Sequence, residues 1–287
     1  MRWSSGPMSK NVEDVRGETG GPRFGGGMRL GLGGMLLLLI LSIIFKQNLF
    51  TLIGADGMQA GVPGGTELTP EQQQHEDSLA HLVSAVLDTA QTEWSTIFSR
   101  MGGEYRDAKL VLFRDGVQSA CGIAETATGP FYCPGDEKVY IDLGFYDELT
   151  SRFGAAGDFA EAYVLAHELG HHVQKQLGIE AKVRRAQQDS PDAANDLSVR
   201  MELQADCFAG VWGGTYQAKG GLDQGDLEEG MRAAAAVGDD RIQRMSQGYV
   251  NPEGFTHGTS EQRQRWFTHG FRSRDPKQCD TFSANSL

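Results

Sequence analysis

The chain is short of positive charge, with 26 lysines and arginines against 38 acidic residues and a formal net charge of −12. A phosphate backbone calls for a basic surface, so nucleic acid is excluded as the main partner, and the acidic balance reads as ordinary solubility. Cysteine is scarce as well. The four present, Cys121, Cys133, Cys207 and Cys279, include no C-x-x-C pair, which excludes a zinc ribbon and a thioredoxin-like redox motif. No internal repeat is apparent, so the length does not come from stacked copies of a small unit.

Long apolar runs are also lacking, with one exception. Met28 to Phe45 carries Arg29 as its single charge, and as a helix its 18 residues would rise about 27 Å, close to a bilayer core of roughly 30 Å. This predicts one transmembrane anchor over 28–45. A cleaved signal peptide is the weaker alternative, because no small-residue cleavage site directly follows the run. Arg2, Lys10, Arg16, Arg23 and Arg29 precede the run, and only Lys46 follows it closely. The positive-inside rule then puts the N-terminus in the cytoplasm and the bulk of the chain outside the cytoplasmic membrane. Residues 1–27, rich in glycine, serine and charge, are expected to be a disordered cytoplasmic N-terminus. Residues 46–68, including the glycine-rich GADGMQAGVPGG, are expected to be a linker, and 69–287 the folded domain. Export favours disulfides over reduced thiols. Of three possible pairings we expect Cys121 with Cys133 and Cys207 with Cys279, since the first closes a short loop containing Gly129-Pro130.

Within the domain, Thr69-Pro70-Glu71-Gln72 is a helix start, with threonine as N-cap, proline first in the helix and glutamine three after the cap. Leu79, Leu82, Val83, Val86, Leu87, Ala90 and Trp94 then form a helical apolar stripe. Lys109 to Phe113 and Val139 to Leu143 read as strands, the second half-buried by its alternation and either a plain structural strand or one lying beside a metal helix with an edge open to substrate. Helices are expected from Gly157-Asp158, with Asp158 capping, to a stop at Gly178, from about Asp196 to Gln217, from Asp226 to Met245, and from Ser260 to about Phe271.

What the chain does have is Ala166-His167-Glu168-Leu169-Gly170-His171-His172, containing H-E-x-x-H in mid-helix. Residues four apart share a helix face, so His167 and His171 can bind one ion while Glu168 lies where a carboxylate can take a proton from water. His172, turned about 100° away, is structural. A catalytic zinc needs a third protein ligand. A third histidine is excluded because Gln174 and Leu177 occupy the positions of the extended H-E-x-x-H-x-x-G-x-x-H form. Glu202, in Met201-Glu202-Leu203-Gln204-Ala205-Asp206, is the best candidate, with Asp206 one turn on to accept the remaining ring N–H of a ligand histidine, by preference His167.

Three blocks, GPFYCPGDEKVYIDLGFYDELTSRFGAAGDFAEAYVLAHELGHHVQ, ELQADCFAGVW and THGTSEQRQRWFTHGF, together resemble the bacterial family of membrane-anchored neutral zinc metallopeptidases over roughly residues 110–271. The resemblance implies an α+β fold, a mostly helical zincin-like domain with a small sheet, and one Zn2+ per chain held by His167, His171 and Glu202. Phe255-Thr256-His257-Gly258-Thr259-Ser260, with Arg263 downstream, is similar to the T-H-P segment of integral-membrane peptidases that share H-E-x-x-H, although Gly258 stands where those have proline. That similarity implies a catalytic role for His257 at the developing oxyanion. A capping role for Thr259 is the alternative. The expected function is hydrolysis of peptide or protein substrates outside the membrane, with Glu168 as base. The competing reading is a catalytically silent, zinc-stabilised scaffold attached to the lipid bilayer through 28–45.

Overall fold

The computed structural model describes residues 1–17, 68–125 and 129–287. The span expected over 28–45 lies outside the described residues. Among the described residues no helix is long and apolar enough to cross a membrane.

The architecture is α+β, with one four-stranded sheet, a two-stranded hairpin and eight α-helices among the described residues. The strands are β1 (Val12–Asp14), β2 (Lys109–Phe113), β3 (Gly116–Ser119), β4 (Gly122–Glu125), β5 (Phe131–Cys133) and β6 (Lys138–Asp142). The large sheet runs β1-β2-β6-β5, with β1, β2 and β6 parallel and β5 antiparallel, while β3 and β4 form the hairpin. The helices are α1 (Pro70–Arg100), α2 (Gly144–Ser151), α3 (Asp158–Gln176), α4 (Ile179–Asp189), α5 (Ala194–Ala218), α6 (Asp226–Ala236), α7 (Asp239–Gln247) and α8 (Ser260–Ser273).

The start of α1 follows its sequence signal: Thr69 caps Gln72, and the Gln72 side chain returns to the Thr69 backbone. The apolar stripe of α1 is buried from Leu79 to Phe98 and packs against α3 and the sheet. At α3 the sequence reading needs correction. Gly157, at φ 127°, is the N-cap, and Asp158 makes no capping bond. Glu229 of α6 instead reaches the Phe159 N–H at 3.2 Å, while the Asp158 carboxylate receives the Met1 ammonium at 2.6 Å. The expected stop holds, with Gly178 in the left-handed conformation just after α3.

Three further expectations are corrected. Residues 1–17 are not disordered: β1 pairs in register with β2, Val12 opposite Leu110, and Ser9 and Asn11 are buried. Val139–Leu143 is not half-buried, because β6 lies between β2 and β5 and is covered on both faces, leaving β5 as the edge strand nearest α3. The helix expected over 226–245 is two helices, broken at Val237-Gly238. A Cβ on Gly238 would meet the Ser260 backbone nitrogen at 2.4 Å, so the break lets the start of α8 approach.

The tightest packing is between α5 and α8. A Cβ at Gly210 would sit 2.1 Å from the Phe267 carbonyl oxygen, at Gly214 2.0 Å from that of Phe271, and at Gly270 1.9 Å from that of Cys207. Glycines one turn apart thus let the two backbones touch. The disulfide between Cys207 and Cys279 ties α5 to the segment after α8, and a second joins Cys121 to Cys133, as expected.

Candidate metal centre

Gly170 brings the two halves of the centre together. Its missing side chain lets α3 approach α5, since a Cβ there would meet the Ala205 carbonyl oxygen at 2.9 Å. That approach sets His167 and His171 of α3 opposite Glu202 and Asp206 of α5. His167 Nε2 lies 3.2 Å from Glu202 Oε2, and His171 Nε2 lies 3.5 Å from Glu202 Oε1. Donor atoms bound about 2.05 Å from one tetrahedral ion stand ~3.3 Å apart, so these separations match a shared zinc ion. All three donor atoms lie within 4.8 Å of one another.

The other ring nitrogens fix both tautomers. His167 Nδ1 donates to Asp206 Oδ1 at 2.8 Å, and His171 Nδ1 donates to Gln174 Oε1 at 2.9 Å. Each Nε2 lone pair is thereby turned toward Glu202. Gln174, whose presence removes a third histidine from the sequence pattern, also donates to the Met201 carbonyl at 2.7 Å and so bridges α3 and α5. The donor set and its outer contacts therefore fit zinc.

Asp206 is wholly buried and accepts from four donors: His167, the Tyr163 hydroxyl at 2.5 Å, and Arg263 Nε and Nη2 at 2.8 and 2.9 Å. Burial alone would raise its carboxyl; the Arg263 guanidinium and His167 outweigh this and hold it below the ordinary value. Burial likewise pulls the His167 imidazole down, but Asp206 and Glu202 overcome it and push its pKa up to about 10 in the metal-free site. Burial works against His171 too, and Glu202 raises it. Glu168 is buried beside this cluster, and that burial raises its carboxyl above the ordinary value. Burial thus makes it a stronger base than an exposed glutamate, against the opposing charges of His167, His171 and Arg263.

These groups face a cleft of about 530 Å³. Phe131 and Tyr132 of β5 form one wall, Phe145, Val164 and Ile242 supply apolar surface, and Glu168, His257 and Arg263 reach into it. His172 is turned away from the ligands and fully buried. Its Nε2 donates to the Arg106 carbonyl at 2.7 Å and its Nδ1 accepts from the Tyr132 hydroxyl at 3.0 Å, which fixes β5 to the metal helix. His257 is held by Asp239, the first residue of α7. Asp239 Oδ1 lies 3.1 Å from His257 Nδ1, and Oδ2 accepts the backbone N–H groups of Thr256, His257 and Gly258. Thr259 caps α8 in a capping box, as the alternative reading has it, and His257 lines the cleft.

Every predicted site residue falls in this one region except the cysteines. Sequence reasoning did not single out Tyr163 or Asp239. Tyr163 had a signal, being four residues before His167 on the same helix face. Asp239 had none, because its role depends on the break at Gly238. The acidic group Asp158, Asp226 and Glu229 also has metal-like spacing, but the Met1 ammonium lies 2.6 Å from Asp158 and 3.3 Å from Asp226.

The sequence pattern of a family described as "Putative neutral zinc metallopeptidase" matches residues 1–282. The uncharacterized protein YpfJ of Escherichia coli K12 is 50% identical over 287 residues, covering 98% of this chain and 99% of that protein. The uncharacterized protein Rv2575 of Mycobacterium tuberculosis H37Rv is 47% identical over 194 residues, covering 64% of this chain and 65% of that protein. No solved structure matches.

Proposed function

Since the chain belongs to the neutral zinc metallopeptidase family, we propose that it is a zincin-like peptidase that hydrolyses peptide or protein substrates outside the cytoplasmic membrane. The observation that carries this reading is the convergence of His167 and His171 Nε2 on the Glu202 carboxylate at 3.2 and 3.5 Å, with Glu168 buried beside them. One Zn2+ per chain fits that geometry.

His167, His171 and Glu202 would hold the zinc, which would supply Lewis acidity toward water and a carbonyl. Glu168, its basicity raised by burial, accepts the proton of the attacking water and delivers it to the leaving amine. Asp239 occupies Nδ1 of His257 and, through that hydrogen bond, raises its imidazole, leaving Nε2 as a donor for the oxyanion that develops in the cleft. Arg263 and Asp206 keep His167 in register without touching the reacting atoms. Along the cleft β5 offers a strand edge to which an extended peptide backbone can pair. The extracytoplasmic location is supported by the two disulfides, which persist in oxidising compartments. The apolar run at 28–45 supports attachment to lipid.

The test uses the full chain, because residues 1–17 are part of the fold. Glu168→Gln should bind one zinc per chain and fail to cleave an unfolded-protein or peptide-library substrate that the parent cleaves. Retained cleavage in the variant would remove Glu168 as base. Bound zinc with no cleavage by the parent would favour the scaffold reading.

A further inference from the structure

The packing of residues 1–17 conflicts with a chain that crosses a membrane once between this segment and the metal domain. β1 pairs with β2 along Val12–Leu110, Glu13–Val111 and Asp14–Leu112, and hydrogen bonds extend the ladder from Asn11 to Val15. Ser9 receives the bond network of α1, its N–H donating to Ser84 Oγ at 2.8 Å and its hydroxyl to Asp88 at 2.5 Å. Asn11 donates to Asp107 at 3.0 Å, and Glu13 pairs with Lys138 of β6 at 2.6 Å. At the other end of the segment, the Arg2 N–H donates to the Gly221 carbonyl at 2.8 Å, and the Arg2 carbonyl accepts from the Tyr216 hydroxyl at 2.7 Å.

The sequence of β2 gives an independent reason to regard this packing as permanent. Lys109 to Phe113 is KLVLF, with Leu110, Leu112 and Phe113 at most 1% exposed. A strand apolar on both faces belongs in the interior of a parallel sheet. Without β1 it would present an unpaired, hydrophobic edge, a ready site for aggregation. The family pattern matches from residue 1, so the segment lies within the matched unit.

Both flanks of residues 18–67 are fixed on the same body. Arg16 pairs with Glu76 at 3.4 Å and with Asp77 at 3.2 Å on α1. Asp77 is two turns from the start of that helix, on the order of 10 Å along its axis. The chain therefore leaves the domain and returns to it at neighbouring points.

We propose that residues 1–17 are the first strand unit of the metal domain and lie on the same side of the membrane as the metal centre. The proposal rests on the packing of residues 1–17 and is independent of the peptidase reading.

The test is sidedness in the full chain. Both native cysteine pairs are disulfide-bonded, so an engineered thiol at exposed Ser5 or exposed Ser246 is the single target for a membrane-impermeant maleimide. In intact spheroplasts Ser5→Cys and Ser246→Cys should be labelled to the same extent without permeabilisation. In parallel, a zero-length carbodiimide applied to the full-length protein should join Glu13 to Lys138. Labelling of Ser5→Cys only after permeabilisation, with Ser246→Cys labelled before it, would overturn the proposal. So would absence of the Glu13–Lys138 cross-link.

Discussion

Zinc entering this centre should displace protons, and the structure sets how many. In the metal-free site the His167 imidazole is pushed up to about 10 by Asp206 and Glu202 against the opposing effect of burial, and His171 is raised by Glu202. A zinc ligand must be neutral imidazole. At about pH 8, His167 must therefore give up its proton, which weakens apparent binding roughly 100-fold, or about 3 kcal/mol. Apparent affinity should rise at least about tenfold per pH unit until roughly pH 10, and more steeply below the His171 value, where a second proton leaves. Calorimetric titration of zinc into metal-free protein, in two buffers of different ionisation enthalpy, counts the protons directly. The count should approach two at low pH, where both imidazoles are charged, and fall below one only as the pH nears 10, and Glu202→Gln should reduce the count. The linked effect on folding has a definite sign. Because His167 is raised above its unfolded value of 6.5, its contribution to metal-free stability is complete below that value and is lost as pH rises toward about 10. Heats of binding that do not depend on the buffer would show that the imidazoles are already neutral and would refute this account of the centre.

Removing the carboxylate in Asp206→Ala leaves the Arg263 charge buried and unpaired, a change that costs about 3–5 kcal/mol; urea unfolding should show it, and zinc affinity should fall with it. Gly270→Ala drives a methyl group into the Cys207 carbonyl, 1.9 Å from its ideal position. It should destabilise the protein by about 1–3 kcal/mol or more, measured by thermal unfolding, while an exposed control such as Gly6 lacks any such contact. His257→Ala should retain zinc and lower kcat about 100-fold with little change in KM, as expected for a donor used in the transition state. Asp239→Asn should shift the pH profile of the same reaction without removing the side chain at 257.

How much of this was legible in the sequence depended on whether a residue acts within its own element or across elements. His167, Glu168 and His171 were readable because helical spacing alone puts them together, and the capping boxes at Thr69 and Thr259 are equally local. Glu202 and Asp206 needed one further step, elimination of a third histidine. The close α5–α8 contact could not be read, because Gly210, Gly214 and Gly270 show their purpose only when the partner backbone is present. Asp239 was hidden inside what looked like one continuous helix. The N-terminal segment was misread for a related reason. Its glycine, serine and charge look like a solvated tail, whereas Ser9, Asn11 and Glu13 use that polarity to bond to α1, the segment before β2, and β6.

The order in which the centre's parts occur along the chain bears on when it can become competent. A polypeptide emerging amino end first presents His167, His171 and Glu202 well before Arg263, and Cys207 before Cys279. Until α8 arrives, Asp206 has no guanidinium to neutralise it, and the α5 glycines face no partner backbone. The electrostatics of the centre are thus completed only by a segment made after all three donor residues.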